Sequence, residues 1–326
     1  SYSHQYEHLS SRRPLTPSVS ELRLSFEDGT IRVEGLDRDA TDALPDDIEF
    51  DPRSKTHRLP AYRYSALRDW LEASPHAVED TVFDLAELSL ASSYQLREYQ
   101  SDALAAWQEA DNRGVLELPT GSGKTVIGIA AIEELATPTL VVVPTIDLLD
   151  QWVDELETEF DRPIGRLGGG SQQVEEITVS TYDSAYLRAE ELGDQFGLVV
   201  FDEVHHLGGE GYRDIARLLA APARLGLTAT FERPDGAHEQ IRELVGDVVF
   251  RLDPEELAGE YLAAYDIKQI EVSLTPEERE RYEDNQGTFT DYLAQSSIEL
   301  TSGSDYQELV KRSGTDPRAR EALLAK

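Results

Sequence analysis

The spacing of apolar positions near the start of the chain is that of a β-hairpin. Leu22, Leu24 and Phe26 alternate with polar residues, which is the period of a half-buried strand. An Asp28-Gly29 pair follows, and a second alternating run comes after it. Because Asp-Gly suits the central positions of a tight turn, this pattern predicts two short strands joined by a hairpin.

The residues around the hairpin complete a small predicted domain. Residues 65–72 carry apolar side chains at helical spacing, and residues 46–51 form an acidic loop or strand edge. With the hairpin, they predict a small α+β domain over residues 20–90. Residues 1–19 are polar and contain two prolines, which is typical of a flexible lead-in.

From residue 91 onward, amphipathic helices alternate with short, mainly apolar strands, of which residues 140–143 are apolar at every position. Such strands are buried on both faces, and the helices between them connect the strands of a parallel sheet. The predicted fold class over residues 91–252 is therefore α/β, a parallel sheet with helices on both faces. The predicted strands are 115–118, 140–143, 177–180, 198–201 and 224–227, and the predicted helices are 99–109, 124–135 and 147–160.

A glycine-rich segment lies between a predicted strand and a predicted helix, which is the context of a phosphate-binding loop. Glycines let backbone N–H groups converge on a phosphate, and the helix N-terminus adds partial positive charge. Lys124 would contact the β- and γ-phosphates of ATP, and the Thr125 hydroxyl would bind Mg²⁺. The first glycine of the general pattern is replaced by Leu118. The predicted ATP-binding residues of the loop are Thr120, Gly121, Ser122, Gly123, Lys124 and Thr125.

A pair of carboxylates ends a later apolar strand. The parallel sheet would place Asp202 at its carboxyl edge beside the phosphate loop, where Asp202 would bind Mg²⁺ with Thr125. Glu203 is the predicted general base that activates the attacking water. Without the loop, two solvated carboxylates would explain the pair equally well. His205 and His206 follow; no third ligand is spaced to join them in a metal site, and a coupling role beside Glu203 is favoured.

These motifs, in this order, resemble those of superfamily-2 helicases, whose phosphate loop lacks the first glycine. The resemblance implies a RecA-like P-loop NTPase domain that hydrolyses ATP and acts on DNA. It also assigns roles to further residues. These are Arg97 and Gln100 at the adenine, Pro144, Thr145, Ser180 and Thr181 at DNA, and His205, Thr228 and Thr230 in coupling hydrolysis to strand movement.

Within that superfamily the chain resembles XPB-type DNA repair helicases in their archaeal form. The small domain resembles the damage-recognition domain of that family, and residues 226–236 resemble its coupling segment. The charged, helical stretch from residue 275 resembles a thumb-like insertion, so residues 253–326 are interpreted as a linker and the start of a thumb. The family's Arg-Glu-Asp triplet reads Arg-Pro-Asp at residues 233–235, and Arg233 is a predicted DNA contact.

Two other functions stay open beside an XPB-type helicase or translocase. One is a restriction-type motor that moves on duplex DNA without unwinding it, and the other is a non-catalytic damage-binding module clamped by ATP. A second RecA-like domain, which would supply arginine fingers, has no counterpart in this sequence. The fragment alone is therefore expected to hydrolyse ATP poorly. A repair nuclease is a candidate partner, and no membrane is expected.

The composition bears on the cellular environment expected for the protein and leaves the predicted fold unchanged. Asp and Glu number 64 against 30 Lys and Arg, a formal net charge of −34. Such a charge repels phosphate, which argues against DNA binding. Only five of the 30 basic residues are Lys, and acidic, Lys-poor surfaces resemble those of proteins from high-salt cytoplasms, where self-repulsion is screened. A merely acidic cytosolic protein is the alternative.

Cysteine is absent, which excludes disulfides and thiolate metal sites, and a cytoplasmic location is the default.

One acid-free window stands out in this acidic chain. Residues 52–68 contain five basic residues, with tyrosines between them and no Asp or Glu. Arg58 and Arg63 are predicted DNA contacts there, since arginine positions phosphates and tyrosine stacks on bases. The alternative is that they pair with the acids of residues 46–51.

Three bulky aromatic residues lie elsewhere in the chain. Trp152 and Phe160 are predicted to be core residues, and Tyr99 fits core or nucleotide packing equally well.

Overall fold

The computed structural model describes residues 21–36, 47–74, 76–209, 211–231 and 236–253, together with the isolated residues 292, 296, 316 and 318. The chain divides into two compact units, residues 1–264 and 265–326, and all that follows concerns the first. The predictions for the lead-in at residues 1–19, for Arg233 and for most of residues 253–326 lie outside the described residues. No helix in the described ranges is long and apolar enough to cross a bilayer.

The hairpin predicted near the start is confirmed. Leu22 and Leu24 point into the core while their neighbours face outward, and Asp28 and Gly29 both have positive φ, 50° and 75°, in the turn. The hairpin belongs to a five-stranded sheet in the order β3-β4-β2-β1-β5, covered by helix α1. Its elements are β1 (Glu21–Glu27), β2 (Thr30–Glu34), β3 (Glu49–Asp51), β4 (Thr56–Pro60), α1 (Tyr64–Glu72) and β5 (Ala77–Asp80).

The rest of the described chain forms the predicted α/β fold around an eight-stranded sheet. The strand order is β13-β6-β12-β11-β7-β10-β8-β9, and every pair is parallel except β8–β9. The strands are β6 (Arg113–Glu117), β7 (Thr139–Val143), β8 (Gly165–Gly168), β9 (Ser171–Gln173), β10 (Ile177–Thr181), β11 (Leu198–Asp202), β12 (Ala223–Thr228) and β13 (Val248–Arg251). The helices are α2 (Glu98–Glu109), α3 (Lys124–Leu135), α4 (Ile146–Phe160), α5 (Tyr182–Arg188), α6 (Arg213–Leu218) and α7 (His238–Leu244).

Both faces of the large sheet are covered, which is why its central strands are mainly apolar. Every residue of β7, β10 and β11 is buried. One face packs against α2, α3 and α4, with Trp107, Ile127 and Trp152 in its core. The other packs against α5, α6 and α7. The chain therefore presents the carboxyl ends of β6, β7, β10, β11 and β12 at one edge, where loops to the helices begin.

The small sheet and the large sheet contact one another directly. A Cβ on Gly193 would lie 2.0 Å from the Phe26 ring, and a Cβ on Gly29 would lie 2.3 Å from Leu218. The Ser65 hydroxyl of α1 also donates to the Pro222 carbonyl, at 3.3 Å. Close backbone approach at these two glycines thus seats the hairpin against the loop before β11 and against α6.

Candidate active site

The glycine-rich loop joins β6 to α3 in the shape that phosphate binding needs. Gly121 and Gly123 have φ of 83° and 78°, in the left-handed region that favours glycine. A Cβ on Gly123 would also lie 2.6 Å from Nε2 of Gln100. Helix α3 begins at Lys124, so its first N–H groups have no partner within the helix and face the loop.

Lys124 and Glu203 are brought together as the motifs predict. The Lys124 ammonium donates to the Leu118 carbonyl at 3.3 Å and lies 3.9 Å from Oε1 of Glu203. Its side chain is only 11% exposed. A cation between the loop backbone and the carboxylate at the end of β11 is placed to exchange both contacts for phosphate oxygens.

Asp202 is buried, and each of its carboxylate oxygens accepts one hydrogen bond. The Glu203 backbone N–H donates to Oδ1 at 3.0 Å, and the Trp152 indole Nε1–H donates to Oδ2 at 2.9 Å. Burial raises the pKa of Asp202, while the Trp152 hydrogen bond and the charge of Lys124 oppose that rise. The sequence predicted Trp152 as a core residue, which is confirmed, but its bond to Asp202 was missed because only the packing of α4 beside β11 reveals it.

Glu203 is an ionised carboxylate in a strained turn. A hydrogen bond from His205 lowers its pKa, and the charge of Lys124 lowers it further against the opposing effect of burial. Its φ of 49° lies in the left-handed region, which a residue with a Cβ adopts only when its surroundings impose it. The side chain is therefore held near Lys124 as a proton acceptor at neutral pH.

The donor atoms at this edge fit Mg²⁺ bound together with a nucleotide. Asp202 supplies carboxylate oxygen and Thr125 a hydroxyl, and oxygen is the ligand that Mg²⁺ prefers. Within the described ranges, no group of three or more His, Cys, Asp or Glu could hold a metal by itself. Mg²⁺ commonly takes one or two protein ligands and completes its shell with phosphates and waters. The residues present fit that mode of binding.

His205 joins Glu203 to the end of β12. Its Nδ1 lies 3.4 Å from Oε2 of Glu203 and 3.2 Å from Oγ1 of Thr228. The Thr228 hydroxyl donates to the Thr230 carbonyl at 2.9 Å. The structure thus brings together the three residues that the resemblance assigns to coupling, and one of them, His205, lies beside the predicted base.

The predicted adenine-reading residues lie behind the phosphate loop. Gln100 is buried; its Oε1 accepts from the Arg97 backbone N–H at 2.9 Å, and its Nε2 donates to the Ser122 carbonyl at 2.9 Å. The Tyr99 hydroxyl donates to the same carbonyl at 2.7 Å. Tyr99 also packs in the core, so both residues brace the loop, and a contact of Arg97 or Gln100 with adenine stays a prediction.

The predicted DNA contacts differ in exposure. Thr145 is exposed and caps α4 by accepting from the Leu148 N–H at 3.3 Å, and the half-buried Pro144 precedes it. Thr181 caps α5 but is 7% exposed, and Ser180 is 0% exposed with its hydroxyl directed at the Thr181 carbonyl. In this conformation Ser180 offers no side-chain contact to DNA, because β10 is covered on both faces. The other contacts stay predictions.

Residues 52–68 contain no acidic residue, but the fold brings acidic residues from other parts of the chain next to them. Arg58 forms ion pairs with Glu27 and with Asp51, whose Oδ2 lies 3.3 Å from Nε. Arg63 pairs with Asp47 at 2.9 Å and with Glu243 of α7 at 3.1 Å. This is the ion-paired alternative, which arises because strand pairing and domain contact bring acids from distant positions. DNA contact at Arg58 and Arg63 stays a prediction that these contacts do not support.

Comparisons with known proteins bear on both parts of the chain. The family model described as "Xeroderma pigmentosum group B helicase damage recognition domain" matches residues 24–82. The model described as "Type III restriction enzyme, res subunit" matches residues 93–233. The DNA 3'-5' translocase XPB2 of Sulfurisphaera tokodaii is 44% identical over 286 residues, covering 87% of this chain and 65% of that protein. The chain belongs to the XPB-type DNA helicase family.

Relatives within the XPB family extend to bacteria. The DNA 3'-5' helicase XPB of Kineococcus radiotolerans is 32% identical over 228 residues, covering 66% of this chain and 39% of that protein. The one of Mycobacterium tuberculosis is 32% identical over 201 residues, covering 58% of this chain and 36% of that protein. The chain thus spans from about a third to about two thirds of the length of these XPB relatives.

Proposed function

We propose that the chain carries the ATP-hydrolysing part of an XPB-type DNA helicase or translocase, in which hydrolysis drives movement along DNA. The observation that carries this proposal is the convergence of Lys124, Asp202 and Glu203 at one sheet edge, with His205 leading to Thr228. Each is a residue type that phosphoryl transfer to water needs, and they come from two separate segments of the chain.

The reaction is attack of water on the γ-phosphate, with ADP as the leaving group. The loop N–H groups and Lys124 bind the phosphates, and Lys124 leaves the Leu118 carbonyl to do so. Glu203 orients the water and accepts its proton. Asp202 and Thr125 would hold Mg²⁺, which supplies charge neutralisation on the phosphates.

Coupling to DNA follows from the contacts of Glu203. His205 lies within reach of both Glu203 and Thr228, so a change in charge on the γ-phosphate side alters a hydrogen bond at the end of β12. Pro144, Thr145 and Thr181 lie at the same edge, since β7 and β10 are paired with Val143 opposite Thr181. This arrangement supports our proposal that hydrolysis and strand contact share one rim of the sheet.

A second candidate is movement on duplex DNA without unwinding. The match of residues 93–233 to the res subunit and the name "translocase" of the Sulfurisphaera relative favour it. The names of the relatives also specify 3'-5' direction, which we propose for this chain. A non-catalytic ATP clamp is disfavoured, because Glu203 has no role in binding alone.

The setting we propose is a high-salt cytoplasm, on the basis of the −34 charge and the scarcity of Lys. DNA binding there would gain little from counterion release and would depend on backbone and stacking contacts. A repair nuclease is a proposed partner that rests on the family resemblance alone.

Two displacement assays in molar KCl, run on the full-length protein that contains this chain, separate the candidates. A helicase releases a strand from a forked duplex in an ATP-dependent reaction. A pure translocase displaces a third strand from a triplex but leaves the fork intact. Absence of both activities, with ATP binding retained, would favour the clamp.

A further inference from the structure

The Trp152 indole makes a buried polar contact that packing does not require. Its side chain is 1% exposed, and its Nε1–H donates to Oδ2 of Asp202 at 2.9 Å. The other oxygen, Oδ1, accepts from the Glu203 N–H at 3.0 Å. With one donor on each oxygen, rotation of the carboxylate about its Cβ–Cγ bond breaks at least one hydrogen bond.

The two donors leave the carboxylate able to bind a cation. Each carboxylate oxygen has two acceptor positions, and only one on each is occupied in the described structure. Both donors approach from the protein side, one from α4 and one from the residue after β11. Asp202 is therefore held in one orientation, and each of its oxygens can still accept one further contact.

The indole ring is itself seated by the helix that follows the phosphate loop. A Cβ on Gly128 would lie 2.6 Å from Cη2 of Trp152 and 3.4 Å from the Leu227 side chain. Gly128 is one turn along α3 from Lys124. Trp152 thus spans the space between the helix that carries Thr125 and the strand that carries Asp202, the two elements with the oxygen donors for Mg²⁺.

We propose that Trp152 is a positioning residue that orients Asp202 for Mg²⁺ in the nucleotide complex. This inference rests on the proposed function, since it takes Asp202 as a magnesium ligand. Hydrogen-bond partners of metal ligands fix the orientation of the ligand, and their loss commonly costs about 10–100-fold in metal affinity or activity. We expect the same scale here.

Trp152→Phe tests the inference, and Trp107→Phe is its matched control. Both tryptophans are buried and both donate one hydrogen bond at 2.9 Å, but Trp107 donates to the Arg224 carbonyl, away from Asp202. The readout is the affinity of the full chain for a fluorescent, non-hydrolysable ATP analogue, measured with Mg²⁺ and again with EDTA. Mn²⁺ uptake with that analogue, followed by loss of the free-ion EPR signal, gives a second readout that needs no turnover.

We expect Trp152→Phe to reduce the gain in affinity from Mg²⁺ by about tenfold or more, with the affinity in EDTA unchanged. Trp107→Phe should keep the wild-type gain. Gly128→Ala, which pushes the ring without removing its N–H, should lower the gain by a smaller factor. If Mg²⁺ raises the analogue affinity of both Trp152→Phe and Gly128→Ala as much as that of the wild type, the inference about Trp152 is wrong while the proposed function still stands. A wild-type chain that gains nothing from Mg²⁺ overturns the proposed function as well.

Discussion

The Arg224 guanidinium lies in the core with no carboxylate beside it, and we predict that Arg224→Met costs substantial stability. Nη1 donates to the carbonyls of Ala216 and Leu244, at 2.7 and 2.8 Å. Nη2 donates to the Leu219 carbonyl at 2.6 Å, and Nε donates to that of Ala221 at 3.2 Å. Burial lowers the pKa of Arg224 well below its usual value. One side chain thus satisfies carbonyls around the ends of α6 and α7.

The size of the expected stability loss depends on the buried carbonyls that methionine leaves without a donor. Methionine keeps most of the apolar stem but donates to none of the four carbonyls. The Leu244 carbonyl keeps the Arg113 guanidinium as a donor, at 3.3 Å, and each buried carbonyl left without a donor costs about 1–3 kcal/mol. Removal of the buried charge offsets part of this, on the order of several kcal/mol. We therefore expect a net loss of about 2–4 kcal/mol in the free energy of unfolding. Arg217→Met, at an exposed position of α6, should change it by less than about 0.5 kcal/mol.

Urea unfolding in molar KCl, followed by tryptophan fluorescence, measures both variants. Trp107 is a local probe, because its Nε1 donates to the Arg224 carbonyl at 2.9 Å. Equal midpoints for the wild type and Arg224→Met, at equal slope, would refute the reasoning. A loss as large in Arg217→Met would show that positive charge as such, rather than the four carbonyl contacts, is responsible.

Two further predictions concern single residues. His57 is buried beside Phe50, neither ring nitrogen has a hydrogen-bond partner among the residues that the structure describes, and burial lowers its pKa. Its contribution to stability is therefore full above the unfolded pKa of about 6.5 and is lost as pH falls below it. Urea titrations should show that His57→Phe loses less stability than the wild type between pH 7 and pH 5; parallel losses would contradict this. Gly123→Ala, at φ 78° and 2.6 Å from Gln100, should weaken ATP-analogue binding by at least about tenfold, an estimate based on strain of roughly 1–2 kcal/mol plus the clash. Gly170→Ala, at φ 90° in the turn between β8 and β9, imposes similar backbone strain outside the phosphate loop and should bind the analogue normally; an equal loss of affinity would show that the effect does not arise in the loop.

The elements with strong periodicity were predictable from the sequence. The helix expected at 124–135 is α3 with the same bounds, and the strands expected at 140–143 and 198–201 are each one residue longer. The β8–β9 hairpin was missed because Gly168, Gly169 and Gly170 dominate it and its strands are three and four residues long. Helices of six or seven residues, such as α5 and α6, are too short to show a period.

Within the candidate site, the sequence motifs located the phosphate loop and the carboxylates, but not the residues that contact and orient them. Lys124, Asp202 and Glu203 belong to contiguous motifs, so their chemistry can be read locally. The bond from Trp152 to Asp202 joins residues 50 positions apart. The pair of Arg63 with Glu243 joins residues 180 positions apart. Such contacts depend on which helix covers which strand, and no local pattern encodes that.

The central claim is that Glu203 activates water for attack on ATP, and Glu203→Gln tests it most directly. Single-turnover hydrolysis, with protein in excess over labelled ATP, detects even a slow rate in the full chain. We predict a fall of at least about 100-fold, the scale of general base catalysis, with ATP-analogue affinity within about twofold of the wild type. The exposed Glu190→Gln should hydrolyse ATP at the wild-type rate. Hydrolysis by Glu203→Gln at that same rate, with binding intact, would contradict the account.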